Sequence, residues 1–300
     1  MDEPELSVVM GVKNEEKGIR KTIDSILSQE DVDLELIVID DGSIDLTPII
    51  LKELAMVEPR LKVITQESKG LTLSLIHGCS QAKGRFIARH DANDLSLPGR
   101  FSEQTKCLRG NQHASMCSTY VRLVTEEGEI ALTCKPTQEE TAEGLTGTIH
   151  GSVMMKRDLY EEVGGYRRNF YYAQDVDLWT RLVEVGRHVV IQNVYYEALL
   201  YPSSISGSRK AEQEKLFYFI KQATKARRLG GNEMIWLKRA EQFSEKCKYL
   251  KRSKWKESGG AYFIGACLAE RNPELARKYM VRALELNPWN LRARTKLAQL

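Results

Sequence analysis

The chain is short of the features that would settle its class at once. It has no uninterrupted apolar run of about 18 residues, so nothing reads as a membrane-spanning helix. Its N-terminus opens on Asp2, Glu3 and Glu5, not on a basic and apolar signal region. The six cysteines (Cys79, Cys107, Cys117, Cys134, Cys247 and Cys267) form no Cys-x-x-Cys pair and no metal-ligand spacing, which points to core fillers in a reduced cytoplasmic compartment. The net charge of +3 gives no global argument for nucleic acid. A glycine-rich dinucleotide turn is missing: the first strand runs into Met10-Gly11-Val12-Lys13-Asn14-Glu15-Glu16, whose single glycine makes no pyrophosphate cradle. The glycine-rich basic loop of nucleotidyltransferases is absent near the N-terminus as well.

What is present is an alternation of strand and helix. Leu6–Met10, Leu34–Ile39, Leu61–Ile64 and Arg85–Ala88 are apolar, largely β-branched runs that predict buried strands. Between them, Gly18–Gln29 has helical spacing in Ile19, Ile23, Ile26 and Leu27. A second helix starts at Asp45 or at Thr47 before Pro48, and a third covers Leu71–Cys79. Strands separated by helices predict a mainly parallel sheet covered on both faces. Further on, Phe101–Arg109 reads as helix, Ala114–Val124 as strand and Val124–Ile130 as a hairpin turn, while 136–148 is polar and aperiodic. From Lys210 the sequence is helical, and a domain boundary is expected near residue 208. Near 259–287, Ala261, Ile264, Gly265, Leu268 and Ala269 share one helical face. Ala276, Tyr279, Met280, Ala283 and Leu284 share the next, and a third helix follows within 289–298. The pair resembles one tetratricopeptide unit, too few to stand alone.

Three acidic clusters carry the chemistry. Asp40-Asp41-Gly42-Ser43-Ile44-Asp45 and Asp91-Ala92-Asn93-Asp94 each follow an apolar run, and Gln174-Asp175-Val176-Asp177 opens a helix. Carboxylates at the carboxyl ends of parallel strands lie where such sheets bind ligands, and hard divalent cations prefer oxygen donors. Leu178 and Trp179 are expected to face the sheet, away from Asp175 and Asp177, leaving one carboxylate for the cleft.

The order of these pieces over roughly residues 6–208 resembles the family 2 glycosyltransferases of GT-A fold. The motifs that carry it are Ser7-Val8-Val9-Met10 with Asn14-Glu15, Ser25–Gln29, Val38-Ile39-Asp40-Asp41-Gly42-Ser43, and Gly70-Leu71. They continue with Ala88–Arg100, Gly164-Gly165-Tyr166 and Gln174–Trp179. The resemblance implies inverting transfer of a sugar from a nucleoside-diphosphate donor, uridine- or thymidine-linked, to a hydroxyl of a polysaccharide, lipid-linked or protein-linked glycan acceptor. It implies Mg²⁺ or Mn²⁺ at Asp91 and Asn93 and a donor site of Asp41, Asp91, Glu15, Lys69 and Arg89. Asp41 would accept from an imide N–H, which uracil and thymine have and adenine lacks. Asp40 and Ser43 would brace the loop by capping backbone N–H groups. Asn93 stands where the family usually has a second carboxylate; its amide oxygen brings no charge, so metal would bind weakly before the diphosphate arrives. Asp94 is expected to cap the helix that follows Pro98. Asp175 matches the catalytic base. His150, Gly151 and Trp179 fall on the sugar and acceptor side, where Trp179 either offers a sugar its face or fills the core.

The rival from another class is a catalytically inactive sugar-nucleotide-binding or protein-interaction module. Asn93 and the helical pair speak for it, and the retained Asp41, Asp91 and Asp175 against it. Residues 221–256 hold twelve Lys or Arg against three Glu, a local charge of +9. That stretch is either a solvated basic face, a protein-docking site or a peripheral contact with an anionic inner membrane face.

Overall fold

A computed structural model describes residues 3–144, 147–204, 208–250 and 253–300. The first half is built as its apolar runs dictate. Strands β1 (Leu6–Val12), β2 (Leu34–Asp40), β3 (Leu61–Thr65) and β4 (Phe86–Arg89) are parallel. Helices α1 (Ile19–Leu27), α2 (Thr47–Val57) and α3 (Leu71–Ser80) connect them. All seven residues of β2 are buried, as expected of a strand covered on both faces. Helix α2 takes the later of its two expected starts, Thr47, with Pro48 in the first turn.

The strict alternation then stops. β5 (Leu95–Ser96) is followed by α4 (Arg100–Gly110), β6 (Ala114–Thr125), β7 (Ile130–Cys134) and α5 (Gln138–Thr141). A 3-10 turn at His150–Ser152 leads into β8 (Met154–Lys156), α6 (Arg157–Glu162), α7 (Gln174–Val185) and β9 (Arg187–Leu200). The sheet order is β3-β2-β1-β4-β8-β6-β9-β5, with β7 paired to β6. β8 runs antiparallel to both neighbours while β6 and β9 run parallel, so the sheet is parallel in its first half and mixed in its second. The expected 124–130 hairpin joins β6 to β7. Strand β9 was hidden in the sequence: its pairing with β6 skips Gln192 and Asn193 between Thr119 and Tyr120, so its apolar alternation breaks midway. The polar stretch 136–148 contains α5, closed by a Thr137–Glu140 capping box. Leu145 and Thr146 of that stretch lie outside the described residues.

Side chains alternate across the sheet and sort into two cores. Val8, Met10, Leu36, Val38, Phe86 and Ala88 pack on the α1 side. Val9, Ile37, Ile39 and Ile87 pack on the other, with Leu75, Tyr160, Leu178 and Trp179 from α3, α6 and α7. The period of two puts Arg89, the last residue of β4, on the second face after Ile87.

The C-terminal helices are α8 (Lys210–Arg228), α9 (Met234–Lys248), α10 (Lys254–Leu268), α11 (Pro273–Leu286) and α12 (Leu291–Leu297). The expected boundary falls beside residues 205–207, which lie outside the described residues. On its far side the helices share cores with the sheet region. Leu216, Phe219 and Ile220 of α8 and Leu237 of α9 pack with Phe170, Tyr172 and Ala173. The α10–α11 pair packs with Ala131 of β7 and Leu200 of β9. Ser258 Oγ near the start of α10 donates to the Ala283 carbonyl near the end of α11 (2.7 Å), which makes the pair antiparallel. Among the described residues no helix is long and apolar enough to cross a membrane.

One side chain fastens the two halves of the sheet at its functional end. Arg100, fully buried in the first turn of α4, donates to the carbonyls of Arg89 (2.9 Å) and Gly151 (2.6 Å), to Ser96 Oγ (3.0 Å) and to Gln104 Oε1 (3.0 Å). Its guanidinium lies over the Tyr196 ring at 4.6 Å, and burial pulls its pKa down to about 10, leaving it charged at neutral pH. A lysine ammonium cannot span these four acceptors. Arg100→Lys should therefore cost about 2–4 kcal/mol. Urea unfolding measures it, and a loss under about 0.5 kcal/mol, the range of surface substitutions, would show that the fastening is redundant.

Candidate active site

The β2 end supplies the first acidic pair. Asp40 is fully buried and its Oδ1 accepts from the Ser43 N–H (3.0 Å), while Ser43 Oγ accepts from the Asn14 N–H (2.9 Å). Both brace the loop in the expected way. Asp41 is engaged more heavily than the sequence implied. Oδ1 accepts from Gln66 Nε2 (2.8 Å) and the Lys69 N–H (2.7 Å); Oδ2 accepts from Ser68 Oγ (3.2 Å) and the Gly70 N–H (2.9 Å). With four donors, Asp41 folds segment 66–70 against β2, and a nucleobase imide would have to displace one of them. Lys69 is exposed on this segment.

The β4 end supplies the second. Arg89 is 1 % exposed, and its Nη2 pairs with Asp91 Oδ1. Its Nε and Nη1 are buried and find no hydrogen-bond partner among the described residues. Asp91 keeps about a third of its side chain exposed (36 %), and its N–H donates to Tyr196 Oη (3.0 Å). Asn93 sits at a positive φ of 69°, and its Nδ2 donates to Glu15 Oε2. Its Oδ1 presses on Gly18, where a Cβ would come within 1.9 Å.

Asp94 corrects an expectation. It caps no helix: α4 starts only at Arg100, and its N-terminal residue Gly99 makes no side-chain cap. The Asp94 carboxylate is buried and accepts from the Leu199 N–H of β9 (2.8 Å). Burial, and next the charge of Asp91, push its pKa upward, and the side chain ties its loop to strand β9.

Helix α7 supplies the third cluster, and again one expectation falls. Asp175 and Trp179 are one helical turn apart and share a face. Trp179 is 2 % exposed and belongs to the core, so it offers no face to a sugar; its ring meets the His150 edge at 6.1 Å. Asp177 is consumed by structure, pairing with Arg181 (2.6 Å) and Arg167 (3.7 Å). Asp175 makes no ion pair among the described residues; its Oδ1 accepts from the adjacent Val176 N–H (2.9 Å). Burial raises its pKa to about 6, the charge of Asp91 adds to the rise, and Arg89 opposes it. His150 Nε2 pairs with Tyr166 Oη (2.7 Å), and burial with the Arg89 charge holds the ring neutral. Gly151 is needed by Tyr196: a Cβ there would stand 2.0 Å from the tyrosine oxygen.

Comparison with known proteins bears on this arrangement directly. Glycosyl transferase family 2 matches residues 7–164. This chain belongs to glycosyltransferase family 2. EpsE of Bacillus subtilis (strain 168) is 36% identical over 201 residues, 65% of this chain and 72% of that protein. The O-antigen biosynthesis glycosyltransferase WbnJ of Escherichia coli is 33% identical over 184 residues, 59% of this chain and 71% of that protein. The mannosyltransferase PcManGT of Pyrobaculum calidifontis, solved with GDP-mannose and Mn²⁺, superposes with TM-score 0.60 at 18% identity, over 99% of this chain and 84% of that one. Residues 1–349 of S. aureus TarS with UDP-GlcNAc give 0.55 at 17%, over 98% and 88%. The architecture is the GT-A fold, extended by the C-terminal helices.

The family 2 motifs account for the three carboxylates but not for every group that holds them. Arg100 and Tyr166 close two of the motif segments, but Tyr196 lies in none of them, and its place beside Asp91 comes from the pairing of β9 that no short motif reveals. The donor set also bounds the metal. Among the described residues no three His, Cys, Asp or Glu are grouped to hold an ion. Asp91 has one carboxylate oxygen outside its Arg89 pair, while the uncharged Asn93 oxygen packs against Gly18 and would have to turn from it to add a second. Such a set fits a Mg²⁺ or Mn²⁺ ion that takes most of its ligands from a diphosphate and water, and not a resident ion in an all-protein cage.

Replacing Asn93 by Asp would set a carboxylate against Glu15 in place of an N–H donor. We expect N93D to melt lower than wild type in chelator and to regain stability with millimolar Mn²⁺, because a cation relieves the repulsion. Thermal melts with and without Mn²⁺ test this; equal melts in both conditions would remove residue 93 from the metal site.

Proposed function

We propose that this glycosyltransferase moves a sugar from a UDP- or dTDP-linked donor to a hydroxyl of a cell-surface glycan or polysaccharide acceptor, inverting the anomeric carbon. The observation that carries the proposal is Asp175: one partly buried carboxylate, without an ion pair among the described residues, its pKa raised to about 6, within range of the Arg89–Asp91 charges. Neighbouring structures that hold GDP-mannose, UDP or UDP-GlcNAc support the donor class.

The chemistry divides among the chain's own residues. Asp175 accepts the acceptor hydroxyl proton as that oxygen bonds to the anomeric carbon. The bond from that carbon to the donor phosphate breaks on the opposite side, and the nucleoside diphosphate leaves with the electron pair. Asp91, with Asn93, would hold a divalent ion whose chemistry is to neutralise the leaving diphosphate. Segment 66–70, folded by Asp41, forms the wall for the nucleobase. Glu15 orients Asn93, and Lys69, exposed on that segment, meets the donor.

Asp175→Asn should leave donor affinity nearly unchanged and lower turnover about 10²- to 10⁴-fold. The sign of the pH dependence follows from the raised pKa. The base works when ionised, so kcat/KM should climb through pH 6 and level off above it. Mass-spectrometric screening of nucleotide sugars for hydrolysis and transfer, then pH profiles of both proteins, tests the assignment. Near-normal turnover in D175N would move the base elsewhere, and donor binding without turnover by wild type would favour the inactive-module reading.

A further inference from the structure

A second concavity lies away from the acidic clusters, between the end of β9 and helices α10 and α12, with a volume of about 900 Å³. Trp289, 73 % exposed, and Trp255, 64 % exposed, line it together with the exposed Phe263 and Leu291. Large aromatic rings left in water need a partner, because apolar burial is the dominant gain available to them. The lining includes three cations, Lys210, Lys256 and Arg292, and no carboxylate. Lys256 shares its charge with Glu212, and Lys210 lies 4.0 Å from Glu214. Arg292 has no carboxylate partner among the described residues. The exposed Lys254 opens α10 next to Trp255.

We infer that this aromatic and basic groove is a docking surface for an anionic lipid bilayer. Tryptophan and phenylalanine beside lysine and arginine are the side chains that settle at a headgroup boundary, rings among the acyl carbons and cations at the phosphates. The alternatives meet only half of these features. A second copy docking by the same face would oppose like charges. A neutral glycan would use the rings but leave Arg292, which has no carboxylate partner among the described residues, without purpose. The location adds a consequence that, unlike the docking itself, rests on the transferase reading. Leu200 lines the groove, and its neighbour Leu199 donates to Asp94 in the acidic loop, so docking would hold the reaction site close to a membrane-linked acceptor.

The experiment is vesicle flotation of the full chain. Phosphatidylcholine vesicles carry graded phosphatidylglycerol at low salt and at about 0.5 M salt, where surface charge is screened. Bound fraction should rise with phosphatidylglycerol and fall with salt. Trp255→Ala with Trp289→Ala should lower partitioning at least about tenfold, since each ring buries a large apolar area. Arg292→Glu should lower it at least about fivefold. Circular dichroism and melting should be unchanged, because all three side chains sit at the surface. No flotation at any composition overturns the proposal, as does flotation that survives the double tryptophan substitution. Tryptophan quenching by a soluble neutral oligosaccharide, or dimerisation lost on Trp289→Ala, in each case without lipid binding, overturns it in favour of a glycan or a second copy.

Discussion

The site is organised around a guanidinium that water does not reach. An unpaired charge in a protein interior costs on the order of several kcal/mol, so Arg89 dictates what surrounds it. Asp91 has to stand within reach of its Nη2. The same charge helps keep His150 neutral and offsets part of the rise that burial imposes on Asp175. Two Arg89 nitrogens find no partner among the described residues, so its compensation is incomplete in the protein alone. A buried cation left partly uncompensated attracts negative charge, and under the proposed transferase reading a nucleoside diphosphate would bring it.

Arg89 is held by its backbone as much as by its charge. Its N–H donates to the Val153 carbonyl (2.9 Å) and its carbonyl accepts from Arg100. Arg100 in turn grips Gly151, and the missing Gly151 side chain admits Tyr196, whose hydroxyl receives the Asp91 N–H. Four separate segments therefore converge on Asp91 through contacts that each require a particular residue type. The C-terminal helices extend this rigidity to the third carboxylate. Ser244 of α9 accepts from the Tyr171 N–H (3.0 Å) and donates to the Asn169 carbonyl (2.8 Å), and Glu233 binds Arg167 (2.8 Å) and Arg227 (2.5 Å). The segment leading into Asp175 is thus clamped from outside the GT-A sheet, and the helical extension is part of the site's scaffold.

How far the sequence could be read follows from the range of each interaction. The parallel half was legible because its strands are continuous apolar runs and its helices are amphipathic, both local properties. Asp40, Ser43 and the α2 start were legible for the same reason: their hydrogen bonds close within one loop or against its neighbour. Asp94 was misread because its partner, Leu199, lies 105 residues away on a strand that a bulge conceals. Trp179 and Asp175 share a face because four residues of helix bring them together, against the expected separation. The full engagement of Asp41 was invisible because segment 66–70 has no pattern until α3 fixes where it turns.

The same long-range contacts bear on how this site tolerates an uncharged residue at position 93. A pair of carboxylates in a poorly hydrated loop repel each other and raise each other's pKa unless a cation stays between them. Here the Asp91 charge is met by Arg89, Asn93 is neutral, and Glu15 is occupied by the Asn93 amide. Asp91 and Asn93 are thus each held by a protein partner, although two Arg89 nitrogens beside them find none among the described residues. Under the proposed transferase reading, this makes metal and diphosphate arrive as one ligand, because the protein alone offers too few oxygens to retain the ion and too little negative charge to repel the phosphates. An added carboxylate at 93 would reverse both properties at once, trading easy entry and departure of the nucleotide for a stronger hold on the ion.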